Sequence, residues 1–127
     1  LDTNICSAYI RGERKVEIRA LRYGQLSVSA ITVGELLTWA YRGRSGPRWQ
    51  AVIREAVASW TILDVTAEVA EAYGRLQAFS LDIGQRRPGF DLLIAATALV
   101  HDLTLVTHNT RDFAGIPDLR LDDWQSE

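Results

Sequence analysis

Cysteine is nearly absent from this 127-residue chain, and the single Cys6 rules out an internal disulfide framework. That points to a reducing compartment, the cytoplasm, with Cys6 read as a small buried apolar residue. No apolar run approaches the roughly 18–20 residues that span a bilayer, and no charged-then-apolar leader opens the chain, so a membrane is not among the expected partners. Histidine is confined to His101 and His108, which with Cys6 have no zinc-ligand spacing. A Gly-rich phosphate loop, a nucleophile elbow and a His-based triad are also missing, which removes the commonest nucleotide-binding and acyl-transfer sites. Methionine is lacking even at the start. The opening Leu1-Asp2-Thr3-Asn4 reads like the tail of a strand, so a truncated first strand is expected.

What remains is the composition of one ordinary soluble domain, 47% apolar and 24% charged, covering residues 1–127 without linker or repeat. The net charge of −2 argues against a blanket polycation. Its distribution is uneven: residues 11–54 hold nine Arg or Lys against three Glu, while residues 55–127 hold five Arg against twelve acids. Such asymmetry permits a basic face for a polyanion beside an acidic pocket for cations.

Strand-like runs cover Leu26–Ile31, Trp60–Val65 and Leu103–Thr107, with a truncated strand ending at Leu1 and a short one at Leu119–Leu121. Apolar residues at helical spacing lie between them. Val33, Leu36, Leu37, Ala40 and Tyr41 form one stripe; Trp49, Val52, Ile53, Ala56, Val57 and Trp60 form a second, after a turn at residues 43–47. Val69, Ala72, Tyr73, Leu76 and Phe79 form a third, and Phe90–Val100 is apolar nearly all round, as a buried helix would be. Strands alternating with helices imply a three-layer α/β/α domain with a mostly parallel sheet of four or five strands.

In such a sheet, residues that follow strands gather at one edge, where ligands bind. Asp2 follows the truncated strand, Glu35 lies in the first turn after the second, Asp91 opens the buried helix, and Asp112 follows Leu103–Thr107. Each has a plainer explanation alone. Asp2 can cap a helix, Thr32–Glu35 fits a capping box, and Asp91 suits a helix dipole. Capping does not require all four to converge, however, and converging carboxylates are best reconciled by a hard cation of the Mg²⁺ or Mn²⁺ type.

The residues around these acids form a familiar pattern. Leu1-Asp2-Thr3-Asn4, the run to Thr32-Val33-Gly34-Glu35, Phe90–Ala96 and Thr107–Phe113 resemble, in order and nearly end to end, the PIN domain, and within it the ribonuclease toxins of VapBC-type toxin–antitoxin pairs. The resemblance implies a Mg²⁺- or Mn²⁺-dependent endoribonuclease that leaves 5′-phosphate and 3′-hydroxyl ends, is silenced by a small antitoxin and forms a homodimer. It makes Asp2, Glu35 and Asp91 the core metal-binding acids and Asp112 the more variable fourth, with Thr107 and Asn109 as polar residues lining the site. A metal ion there would lower the pKa of a bound water and stabilise charge on the phosphate.

Arg86 and Arg87, just ahead of Asp91, are candidates for holding RNA phosphates. In the Trp39, Tyr41, Arg42, Arg44, Arg48, Trp49 cluster, burial is the default for most of the aromatics. Trp39 falls off the core stripe and, with Arg42, is a candidate antitoxin contact. An Asp-nucleophile phosphotransferase fits poorly, because Asn4 stands where a second Asp is wanted. The other alternative is a catalytically inactive PIN-like module that binds RNA or protein.

Overall fold

In the computed structural model, which describes residues 1–43 and 46–126, the first feature that orders the rest is a short stretch of backbone at the start. The Leu1 α-amino group donates to the Ser27 carbonyl at 2.9 Å, and the Asp2 N–H donates to the Val106 carbonyl at 2.9 Å. Residues 1 and 2 therefore bridge two parallel strand pairs. On one side β1 (Ser27–Ser29) pairs with β2 (Thr61–Leu63). On the other, β3 (Leu105–Val106) pairs with β4 (Leu121–Asp122). The parallel, mixed α/β reading holds, but among the described residues the expected sheet of four or five strands is two two-stranded pairs joined through residues 1 and 2, because the strands are shorter than the apolar runs suggested. A cavity of about 640 Å³ is lined by Leu1, β1 and β3 residues together with Ile94, Thr97 and Ala98. The four acids do not line it.

Helices follow the strands. Asp2 caps α1 (Thr3–Ile10), which is joined to α2 (Arg14–Ala20) through Gly12 at φ +77°, a conformation that favours glycine. Ser29 ends β1 and caps α3 (Ala30–Arg42), its Oγ accepting the Thr32 N–H at 3.0 Å. This displaces the expected capping box: the helix starts before Thr32, so Glu35 has no orphan N–H to serve. The hairpin partner α4 (Gly46–Ala58) leads to β2. Arg44 and Ser45, in the expected turn, lie outside the described residues. Thr66 caps α5 (Ala67–Asp82), its Oγ1 accepting the Val69 N–H at 3.2 Å. Pro88, which cannot continue a helix inward, precedes α6 (Gly89–Val100), and α7 (Thr110–Phe113) is a single turn. Among the described residues no helix is long and apolar enough to cross a membrane.

Three apolar clusters hold these parts together. Val69, Leu76, Leu92 and Ile94 meet Leu105, Phe113 and Ile116, joining α5 and α6 to β3. Cys6, Val28, Leu36, Ala40, Ile53, Val57 and Trp60 join α1, β1 and the hairpin, and Cys6 is buried and free as expected. Its thiol is pushed up to about 12 by burial, so it acts as an apolar group. The third cluster packs Ile5, Ala8, Val16 and Ala20 on Val106 and Trp124.

The stripes were right in period and too wide. Tyr41 is 62% exposed, Trp49 43% and Phe79 40%, although periodicity placed all three inward. Phe90 is also exposed at the head of the otherwise buried α6. A helix covers only a limited arc against its neighbours. In α3 that arc centres on Thr32, Leu36 and Ala40, and in α5 on Val69, Leu76 and Ser80. Leu76→Ala is expected to cost about 2–4 kcal/mol, the range for buried large-to-small changes. Phe79→Ser is expected to fall within about 0.5 kcal/mol of the native protein. Urea unfolding of both variants checks this assignment of the α5 faces.

Candidate functional site

Asp2 is where the site begins. Its backbone is tied to β3, its side chain is nearly fully buried, and both oxygens are engaged. Oδ1 accepts the Ile5 N–H at 2.9 Å, capping α1, and Oδ2 accepts the Thr107 hydroxyl at 2.5 Å. Thr107 Oγ1 in turn accepts the Asn109 N–H at 3.0 Å. The sequence reading named Thr107 and Asn109 as lining residues. Thr107 takes part through its hydroxyl and Asn109 through its backbone, since the Asn109 side chain makes no capping bond to α7. Burial raises the Asp2 pKa, and the bonds from Thr107 and Ile5 work against that rise.

Glu35, half-buried on α3, is held by Thr3: the Thr3 hydroxyl donates to Oε1 at 2.6 Å. Sequence reasoning assigned Thr3 no role in the site. The usable signal was its place beside Asp2 in the first turn of α1, facing the same sheet edge. Asp91 lies in the first turn of α6 with a raised pKa. Partial burial is the larger cause; the negative charges of Asp112, Glu35 and Asp2 add to it, and Arg87 opposes it. Hydrogen bonds tie the segments of the four acids together, Thr107 to Asp2, Thr3 to Glu35, and Arg87, four residues before Asp91, to the Asp112 carbonyl. Among the described residues the carboxylates of Asp91 and Asp112 accept no protein hydrogen bond.

The donor set fits a hard divalent cation: oxygen ligands only, with mutual repulsion that a cation would relieve. The fit is chemical rather than preformed. Among the described residues, no three His, Cys, Asp or Glu side chains already stand in a metal-holding arrangement. His108 is exposed and pairs with Asp123 at 3.0 Å.

The two arginines separate. Arg86 is exposed and bonds nothing among the described residues. Arg87 donates to the backbone carbonyls of Asp112 and Ala114, so its fork is occupied by the protein rather than left open for phosphate. On the hairpin, Trp39 is 53% exposed and Arg42 is exposed, as expected for a partner surface; the exposed Tyr41 hydroxyl accepts Arg54 at 2.9 Å.

Comparison with known proteins places the chain in a family. The family description "PIN domain" matches residues 1–119. The tRNA(fMet)-specific endonuclease VapC of Shigella flexneri is 34% identical over 98% of this chain and 96% of its own length. The DNA-bound VapBC structure from Salmonella typhimurium superposes with a TM-score of 0.92 at 30% identity, covering 97% of this chain and 95% of that one. A toxin–antitoxin complex from Klebsiella pneumoniae superposes at 0.73 and 30% identity, covering 91% and 90%. The fold is thus that of a PIN domain. The chain belongs to the PIN domain family, among its VapC-type ribonuclease toxins.

The raised pKa of Asp91 has a sign that can be measured. The folded state holds the Asp91 proton more tightly than the unfolded chain, so without metal the ionised carboxylate costs stability. That cost is complete above the raised pKa and disappears as pH falls toward the ordinary carboxylate value. In EDTA at neutral pH, Asp91→Asn is expected to melt a few degrees above the native protein. Mn²⁺ should raise the native melting temperature and leave that of the variant unmoved, by binding linkage. Calorimetric scans from pH 4 to 8 give both results.

Proposed function

We propose that the protein is an endoribonuclease toxin that hydrolyses RNA phosphodiester bonds with Mg²⁺ or Mn²⁺ and is silenced by a cognate antitoxin. One observation carries this reading. Asp2, Glu35, Asp91 and Asp112 come from four separate segments to one region, where Asp91 responds electrostatically to the other three. The similarity to a tRNA endonuclease supports RNA as the substrate class. A reducing cytoplasm, with free Cys6, suits the same reading.

Asp2, Glu35, Asp91 and Asp112 would hold the ion. When bound, it supplies a lowered pKa for a water and charge stabilisation on the scissile phosphate. The chain's own residues prepare that region. The Thr107 hydroxyl occupies one lone pair on Oδ2 of Asp2 and the Ile5 N–H of the α1 N-terminus one on Oδ1, leaving further lone pairs open, because a carboxylate has about four acceptor positions. Thr3 holds Glu35 by Oε1 and leaves Oε2 free. These bonds fix rotamers before any ligand arrives, so less ordering entropy is lost on binding. Arg86, exposed beside the α6 entry, is free to meet an RNA phosphate.

Cleavage of a tRNA pool with Mg²⁺, with Mn²⁺ and with EDTA tests the proposal. Activity should vanish in EDTA, and Asp91→Asn should lower it by at least about 10²-fold, the scale of losing one preorganised electrostatic contribution. Cleavage that survives EDTA, or full activity in the variant, refutes the metal-nuclease reading. Metal binding without cleavage would instead favour the inactive RNA- or protein-binding module.

The antitoxin belongs on the α3–α4 hairpin. Its support is the exposed Trp39 beside the exposed Arg42, since Trp and Arg dominate binding hot spots. Trp39→Ala is expected to weaken antitoxin binding by about 30-fold or more, corresponding to a loss of roughly 2 kcal/mol. Titration calorimetry with the purified antitoxin measures it. Unchanged affinity would move the interface elsewhere. A homodimer is part of the same proposal.

A further inference from the structure

The short helix that carries Asp112 cannot hold itself. α7 is one turn, Thr110–Phe113, and an isolated turn is unfavourable because its nucleation is not repaid by propagation. Its C-terminal carbonyls also lack intrahelical partners. Two apolar residues anchor the segment, Phe113 and Ile116, both in the α5–α6 core, and Gly115 turns the chain at φ +83°. Those anchors fix where the loop is attached. They do not fix the side of the turn that bears Asp112.

Arg87 does. It is half-buried in the connection between α5 and α6, four residues before Asp91. Nη1 donates to the Asp112 carbonyl. Nη2 donates to the Ala114 carbonyl at 2.6 Å and to Gln85 Oε1 at 3.2 Å. One planar fork thus takes the carbonyl of Asp112 and that of the residue closing α7, satisfying orphan acceptors with a cation placed where the helix dipole favours it. The same fork cannot also grip a phosphate through both of its Nη donors. Arg87 is anchored directly ahead of α6, so it ties the loop bearing Asp112 to the helix bearing Asp91.

We infer that Arg87 is a positioning residue: it clips the α7 turn to the entry of α6 and sets Asp112 against Asp91, and it is not a phosphate contact. The consequence for activity rests on the proposed reading of the four acids as a cation site. The clip itself does not depend on that reading.

The test uses the full chain with Arg87→Ala, Arg87→Lys and Arg86→Ala. Amide hydrogen exchange over residues 112–116 should quicken about tenfold in Arg87→Ala, the factor for losing one charge-assisted contact of roughly 1.4 kcal/mol. It should be unchanged in Arg86→Ala. A single ammonium cannot span two carbonyls in fork geometry, so Arg87→Lys should lie between Arg87→Ala and the native protein. Mn²⁺ binding should weaken about tenfold in Arg87→Ala, and kcat should fall with KM within about twofold. Added guanidinium should restore part of the kcat of Arg87→Ala, and methylammonium should not. Arg86→Ala should instead raise KM and flatten its salt dependence. Unchanged loop exchange in Arg87→Ala, or a loss carried wholly by KM with a flattened salt dependence, overturns the proposal. If Asp91→Asn still binds Mn²⁺ as the native protein does, the cation-site reading fails, and loop exchange still decides the clip.

Discussion

Burying a carboxylate is costly unless its oxygens are met by donors, and the fold is arranged around one that is. Asp2 lies between the two strand pairs. Its N–H is bonded to β3, its Oδ1 caps α1, and its Oδ2 receives Thr107 at the end of β3. A single residue thereby closes three junctions: bridge to strand, bridge to helix, and strand to loop. The α1 N-terminus adds its partial positive charge to the same side. Asp2 is therefore a structural cap and, in the proposed reading, a site residue at once, and the two roles would reinforce each other. The cap holds the carboxylate in place, and the free lone pairs remain for a ligand.

From that point the site becomes progressively less restrained. Asp2 is held through both oxygens and Glu35 through one, by Thr3. Asp91 and Asp112 have no side-chain bond among the described residues, and Asp112 is positioned through its backbone by Arg87. Asp91 has the raised pKa because it is partly removed from water, and the negative charges of three other acids add to the rise. Arg87 opposes that field without quenching it. The arrangement leaves a region that is electrostatically unsatisfied and half rigid, which is what a cation with demanding oxygen geometry can complete.

The reasons that parts of this were legible in the sequence are physical. Strand C-termini share an edge in a parallel sheet, so Asp2, Glu35 and Asp112 could be grouped without any distance; Asp91, which follows a helix, was singled out as the head of the buried α6. Asp2 was legible as a cap, and it caps α1. Which residue of a cluster caps was less so, because Ser29 took the role assigned to Thr32 and left Glu35 for Thr3. Periodicity gave the centre of each helical stripe and not its width. Tyr41, Trp49 and Phe79 lie at stripe edges, where burial depends on what the neighbouring element covers. Arg87 stayed open between a phosphate contact and a helix-end cation for a related reason: a guanidinium before an acidic helix has the same sequence signature whether it faces phosphate or backbone carbonyls.

The contrast between the two halves of the site bears on how a cation would be selected. A rigid set of oxygens favours the ion whose radius it matches, while a yielding set accepts ions of several sizes. In the proposed reading Asp2 and Glu35 would supply the fixed half, and Asp91 and Asp112, whose carboxylates are not part of any preformed metal-holding set among the described residues, the yielding half. A bound cation would offset the burial and the neighbouring charges that raise the Asp91 pKa. Binding strength would then be governed by the loosely held pair, and the Arg87 clip on the α7 turn would set where Asp112 stands. The fixed half would decide where the ion sits; the clipped half would decide how tightly it is kept.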